Sequence, residues 1–326
     1  MENIKTVGIV GGGVIGAGWA VRLLARGFDV IASDPGRGAE DILLAKVEHA
    51  WPAMKKIGWT TAVAPPRIDF TADLEKVART ADFIQESAPE NMELKKRLHA
   101  DLDRYAPPNV ILASSTSGLL PSRIQADLLH PSRFVVGHPF NPVYLLPLIE
   151  TVAGVQTSLQ TLEHAEDFYR LLGMQVLRVR KEVDAFICNR LQESIWRECL
   201  HLINDGIATP AELDDAIKLA PGLRWAFMGH MQHSYVSGGE AGIRDTLSKF
   251  GFVMELPWTH LEGPTLTGEL IEKVAQGSED AWGDKSVKEW EALRDDCLIA
   301  IMNALRTFDI GAGRTLNNDP LMRARN

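Results

Sequence analysis

Five polar residues stand at or near the ends of apolar, β-rich runs, where their types could do chemistry together: Ser117 in SSTSG, His138 and Asn141 in GHPFNP, Glu150 in PLIE and Asn189 in FICNR. Taking hydride from a secondary alcohol requires the hydroxyl proton to leave, and an imidazole that titrates near neutrality is suited to take it. A carboxylate beside that ring orients it and stabilises its charged form. His138 and Glu150 fit these two roles if their strand ends converge. Ser117 and Asn189 supply donors for the oxygen as it becomes a carbonyl. Taken singly, each residue has a plainer reading: a buried structural histidine, a surface glutamate, a turn serine, a capping asparagine. It is the set that points to an alcohol-oxidising centre.

A hydride acceptor is implied by the opening VGIVGGGVIG. Gly11, Gly13 and Gly16 form G-x-G-x-x-G directly after a β-rich run, and Val14 and Ile15 begin the helix that follows. Such a turn brings backbone N–H groups and a helix N-terminus against a dinucleotide pyrophosphate. Asp34 follows at the ~20-residue offset expected for ribose recognition. Its charge would repel a 2′-phosphate and so favours NAD over NADP. A structural turn without a cofactor is the plainer alternative. No group of His, Cys and carboxylate stands at ligand spacing, so no metal is expected.

These residues need elements to hold them. Thr6 to Val10 and Phe28 to Ser33 read as strands flanking a helix from Val14 to Arg26, a βαβ unit. Further strands are predicted at Phe83–Gln85, Val110–Ser114, Phe134–Gly137, Leu146–Thr151 and Met174–Val179, with helices at Leu94–Tyr105 and Thr161–Leu172. The alternation predicts an α/β fold, a Rossmann-type, mostly parallel sheet covered on both faces. From about Val183 the pattern is helical throughout: Ala185–Asn204, Pro210–Leu219 with Thr209 as N-cap, Glu240–Phe250, Thr267–Gln276 and Lys285–Thr307. Residues 1–182 are therefore expected to form a nucleotide-binding domain and 183–326 an all-α domain. The tail from Gly311 has no apolar period and is expected to fray.

The 326 residues, 45% of them hydrophobic, suffice for two cores. A net charge of −9 argues against nucleic acid or an anionic membrane as the partner and leaves a small molecule. The three cysteines, Cys188, Cys199 and Cys297, are too few and scattered for a disulfide framework, which suits a reducing, cytoplasmic compartment. The apolar stretch from Val7 to Val21 falls short of the ~20 residues a spanning helix needs.

The segments VGIVGGGVIG, ESAPENMELK, SSTSG, GHPFNPV, PLIE and CNRL resemble the 3-hydroxyacyl-CoA dehydrogenase family over nearly the whole chain. Carried over position by position, the resemblance implies that the family's catalytic His and Glu fall on His138 and Glu150. Its substrate-contacting Ser and Asn fall on Ser117 and Asn189. Cofactor contacts fall on Asp34, Glu90, Lys95 and Asn141, with Ser117 shared between cofactor and substrate. By pattern alone Glu90 and Lys95 have no distinctive role, since E-x4-K on a helix reads as a solvated face. The resemblance also implies a homodimer paired through the helical domain.

Acyl-CoA members of the family carry a Lys-rich helical hairpin after the second strand, and residues 36–70 look too short for a long one. LRWAFMG at 223–229, GGEAG at 238–242, Phe252 and ELPWTHL resemble instead a branch that oxidises the 3-hydroxyl of carnitine. A trimethylammonium group donates no ordinary hydrogen bond and is held by aromatic faces, each worth roughly 0.5–2 kcal/mol. Trp196, Trp225, Phe227, Tyr235, Phe252 and Trp258 are the candidates, most of them also readable as core. Arg190 or Arg224 could pair with the carboxylate, and each could equally lie at the surface. An L-gulonate 3-dehydrogenase, a 3-hydroxybutyryl-CoA dehydrogenase and a non-catalytic dinucleotide-binding protein stay open.

Overall fold

Runs such as TVGIV, DVIAS and FVVG are apolar at consecutive positions and rich in β-branched residues, the pattern of strands covered on both faces. The computed structural model describes residues 4–241, 243–260 and 262–320. In chain order its first part holds β1 (Thr6–Val10), α1 (Val14–Ala25), β2 (Asp29–Ser33), α2 (Ala39–Lys56), β3 (Asp69–Phe70), α3 (Leu74–Thr80), β4 (Phe83–Glu86) and α4 (Met92–Tyr105). There follow β5 (Ile111–Ser114), α5 (Pro121–Ile124), β6 (Phe134–Pro139), β7 (Leu148–Val152), α6 (Leu159–Leu171) and β8 (Gln175–Val179).

The eight strands form one sheet in the order β3-β2-β1-β4-β5-β6-β7-β8. Pairing is parallel except between β6 and β7, which run antiparallel with His138 opposite Glu150. Helices α1, α2 and α6 cover one face with Trp19, Trp51 and Phe168 among the buried residues. On the other face Val77 of α3 and Leu102 of α4 join Ile84 and Phe134. Residues 36–70 contain a single 18-residue helix, α2, and a return to β3, with no helical hairpin.

Beyond the sheet lie α7 (Cys188–Asn204), α8 (Pro210–Lys218), α9 (Pro221–Trp225), α10 (His230–Ser237), α11 (Ile243–Phe250), α12 (Gly268–Trp282), α13 (Val287–Arg306) and α14 (Gly311–Asn318). Thr209 caps α8 in a reciprocal box with Glu212, as its position predicted. Helix α7 starts three residues later than the periodicity suggested, because Ala185 and Phe186 take left-handed φ values of 62° and 53°. No helix among the described residues is long and apolar enough to cross a membrane.

The tail departs from expectation. Instead of fraying at Gly311, residues 311–319 carry α14, bury Leu316 and place Asp319 in a buried ion pair with Arg26, while 321–326 lie outside the described residues. The Arg26 guanidinium lies 4.3 Å from the centroid of the Trp59 ring. An ion pair and one leucine dock this segment, so an apolar period was not there to find. Ile299 and Met302 of α13 join the same core as Leu316, and Tyr144 donates to Asp295 at 2.7 Å. The last two helices therefore pack back onto the sheet unit.

Candidate active site

The three motif glycines do three different things. Gly11 has φ +100°, and a Cβ there would lie 2.6 Å from the Ser87 carbonyl oxygen. At Gly16 a Cβ would lie 1.8 Å from the Gly11 oxygen, so helix and strand meet only without it. Over Gly13 nothing stands within 4 Å, which leaves the backbone open to a phosphate. Val14 and Ile15 begin α1 at this point. Asp34, at the tip of β2, accepts from Gly12 N at 2.7 Å and Gly36 N at 2.8 Å, so its carboxylate braces the turn from the side where a ribose would lie. The donor set fits a dinucleotide: open N–H groups for two phosphates and a carboxylate for two hydroxyls.

His138 and Glu150 are held by the antiparallel register of β6 and β7, with Nδ1 donating to Glu150 Oε2 at 2.9 Å. Since the carboxylate can only accept, the ring proton sits on Nδ1 and leaves Nε2 free to take another. The second Glu150 oxygen accepts from Ile187 N at 3.0 Å and Cys188 N at 2.9 Å. Burial pushes this carboxyl up, but the bond from His138 and those two N–H groups outweigh it and hold it below the ordinary glutamate value. Glu150 is not at a strand end, as PLIE suggested, but in the middle of β7.

The remaining sequence candidates join through α7. Asn189, one residue after Cys188, donates from Nδ2 to the Ser117 carbonyl at 2.7 Å. Ser117 N donates to Glu90 Oε1 at 2.9 Å, and Thr116 Oγ1 bonds the same oxygen. Asn141 lies exposed on the loop that follows β6. His138, Glu150, Asn189, Ser117 and Glu90 thus form one connected set across β6, β7, α7 and the β5 loop.

Lys95 corrects the solvated-face reading. Its side chain is 1% exposed, with Nζ 2.7 Å from Glu86 Oε1, 3.0 Å from the Ala88 oxygen and 3.6 Å from Glu90 Oε2. Glu86, which sequence reasoning missed, also takes bonds from His99 at 3.0 Å and Ser114 at 2.6 Å. Against the upward push of burial, His99 and Lys95 hold its carboxyl at about 2. Lys95 therefore reaches the Ser117 loop through Glu90.

Two more missed residues are Phe140 and Phe186, whose ring centroids lie 4.7 Å and 5.7 Å from that of His138. Phe186 is fully buried, and Phe140 is partly exposed. The GHPFNP and AFICN segments carry them; closeness to the imidazole in sequence was an available signal for Phe140, and Phe186 had only its place beside Asn189. Of the aromatic candidates, Trp225 belongs to α9 and Phe227 follows it, abutting Gly311, while Phe252 is exposed. None of these has a ring contact with His138 among the described residues. Arg190 is exposed, with a 3.4 Å bond to the Asp184 oxygen, and the Arg224 Nε is buried without a hydrogen-bond partner. Burial and the Glu150 charge push the Cys188 thiol up to about 12, so it is no nucleophile. No cluster of metal-binding side chains occurs among the described residues.

Residues 6–183 match the NAD binding domain of 3-hydroxyacyl-CoA dehydrogenase, and residues 186–280 match its C-terminal domain. The chain is 51% identical to an L-carnitine dehydrogenase of Pseudomonas aeruginosa over 94% of its own length and 95% of that protein's. It is 46% identical to one of Bacillus cereus over 95% of each. Among solved structures it is similar to 5-formyl-3-hydroxy-2-methylpyridine 4-carboxylic acid 5-dehydrogenase, with TM-score 0.80 and 26% identity over 93% of this chain and 99% of that one. A (S)-3-hydroxybutyryl-CoA dehydrogenase from Ralstonia eutropha is similar with TM-score 0.62 and 27% identity, over 84% of this chain and 95% of that one.

Proposed function

The chain belongs to the 3-hydroxyacyl-CoA dehydrogenase family and is an NAD-dependent 3-hydroxy dehydrogenase, and from that premise we propose that it oxidises the 3-hydroxyl of L-carnitine to 3-dehydrocarnitine. Similarity to the L-carnitine dehydrogenases supports the substrate. The single α2 in place of a helical hairpin favours a small hydroxy acid over a thioester of CoA.

The observation that carries the mechanism is the buried His138–Glu150 pair with its free Nε2. His138 takes the hydroxyl proton on Nε2 as the C3 hydrogen leaves with its electron pair and the C–O bond becomes a carbonyl. Glu150 stabilises the positive imidazole. Ser117 and Asn189 hold the substrate oxygen. NAD, when bound along Gly11, Gly13 and Gly16 with Asp34 on its ribose, supplies the hydride acceptor. Glu90 and Lys95 fix the Ser117 loop, and Asn141, exposed on the loop after β6, would contact the cofactor. Phe140, the accessible ring next to His138, would offer the trimethylammonium an aromatic face. The substrate carboxylate pairs with Arg190 or Arg224.

Residues 1–182 bind the cofactor and 183–326 close over the substrate. The helical part also pairs with a second copy of the chain, a reading supported by exposed Leu191, Ile195, Trp196, Tyr235 and Phe250. The enzyme acts in the cytoplasm on a small molecule, with neither nucleic acid nor membrane as partner. The test is NADH formation with L-carnitine, L-gulonate and 3-hydroxybutyryl-CoA side by side. Turnover of either rival without turnover of L-carnitine overturns the assignment, and light scattering reads the dimer.

A further inference from the structure

We infer that the first turn of α7, set by the left-handed Ala185–Phe186 step, is a positioning device for the acid/base pair, its Ile187 and Cys188 N–H groups tempering how strongly Glu150 draws a proton onto His138. The inference rests on the reading of His138 as the base.

Three donors converge on one buried carboxylate. Oε2 takes His138 Nδ1, while Oε1 takes the N–H groups of Ile187 and Cys188. The last two belong to the start of a 17-residue helix, whose unpaired N–H groups carry a partial positive charge. Aiming them at β7 requires the chain to turn sharply just before the helix. It does so with φ values of 62° at Ala185 and 53° at Phe186, a region uncommon for residues with a Cβ. The step is held from two sides. Phe186 is fully buried against the His138 ring, and Gly118 packs against the Ala185 backbone so closely that a Cβ there would lie 3.2 Å from it.

The consequence is electrostatic. Each N–H draws negative charge away from the His138 side of the carboxylate, so the imidazolium is stabilised less than by a bare carboxylate. The groups facing Glu150 are few: His138 from β6, the Cys188 thiol from α7, and Leu177 paired from β8. The thiol keeps its proton up to about 12, and Leu177 does not titrate. The carboxyl itself lies below its ordinary value, first against burial and then through these same donors. Because α7 opens the helical part, the arrangement also ties the strength of the base to the seating of that part on the sheet.

The test takes N–H donors away from Glu150. Cys188→Pro deletes the donor at the first helical position and, because Ile187 before it has φ −100° and ψ −56°, a region that a following proline disfavours, also loosens the Ile187 N–H. Cys188→Ala keeps the N–H and loses only the thiol, so the difference between the two reads the backbone bonds. In Cys188→Pro the acid limb of kcat/KM for alcohol oxidation is expected to move to higher pH by about one unit relative to Cys188→Ala, since less tempered Glu150 keeps His138 protonated longer. Should the proline variant not fold, Ala185→Val, β-branched and disfavoured at φ 62°, displaces the turn with the pair untouched and is expected to move the limb the same way. Titration of the 15N-labelled His138 ring by NMR, without substrate, gives the same readout. Coincident titrations in the Pro and Ala variants, or an unmoved ring in Ala185→Val, overturn the inference. A wild-type protein inactive on L-carnitine overturns only the substrate assignment.

Discussion

His138 and Glu150 are directly opposed residues on β6 and β7, joined by a 2.9 Å bond across the antiparallel seam of an otherwise parallel sheet. Opposed positions on neighbouring strands place their side chains on the same face within contact. His138→Ala is expected to lower kcat by ~10³-fold, with NAD affinity measured by fluorescence titration nearly unchanged. Glu150→Gln, which keeps the shape and loses the charge, should cost ~10²-fold. A His138→Ala variant with near-normal turnover would sink the mechanism.

Gly13 and Gly16 separate cofactor binding from folding. A methyl at Gly13 meets nothing within 4 Å, and one at Gly16 would sit 1.8 Å from the Gly11 oxygen. Gly13→Ala should therefore melt within a few degrees of wild type and bind NAD at least ~10-fold more weakly, because the methyl takes the place of a phosphate. Gly16→Ala should lose several degrees before any ligand is added. Equal NAD affinity in wild type and Gly13→Ala would contradict the cradle.

Phe140 stands 4.7 Å from the His138 ring and is partly exposed, so it is the ring placed to meet a cation held near the reacting carbon. Phe140→Leu is expected to raise KM for L-carnitine by ~2- to 30-fold, the range of one cation–π contact. KM for NAD should stay put. Steady-state kinetics with each substrate varied in turn decides it.

Glu86 predicts how stability responds to acid. Its carboxyl is held at about 2 rather than 4.5, by bonds that overcome its burial, so the folded state gains from it fully above 4.5 and loses that gain as pH falls towards 2. The gain is roughly 3 kcal/mol at neutral pH. Ser114→Ala, which removes the 2.6 Å bond to Glu86 Oε2, should melt lower at pH 7 by the equivalent of about 1–2 kcal/mol. The difference from wild type should hold through pH 4.5 and shrink only as pH falls towards 2, where folded Glu86 takes its proton. A gap that already closes between pH 7 and pH 4.5 would show that Glu86 titrates elsewhere.

What the residues alone determined is local. A glycine turn after a β-branched run, the Thr209–Glu212 box and the strands from Thr6 to Val179 other than the two-residue β3 follow from spacing, φ preference and patterning over a few residues. Residue types sufficed to name a His–Glu pair. Tertiary structure decided which partners they meet. Antiparallel register put Glu150 in mid-strand opposite His138, and a left-handed step at Ala185 delayed α7 and turned its N–H groups onto that carboxylate. Lys95 looked solvated until Glu86 and Glu90 closed around it. Asp319 finds Arg26 across 293 positions, so no window along the chain records why the tail is ordered. Such contacts depend on register and packing between distant segments, and a pattern along one segment carries no trace of them.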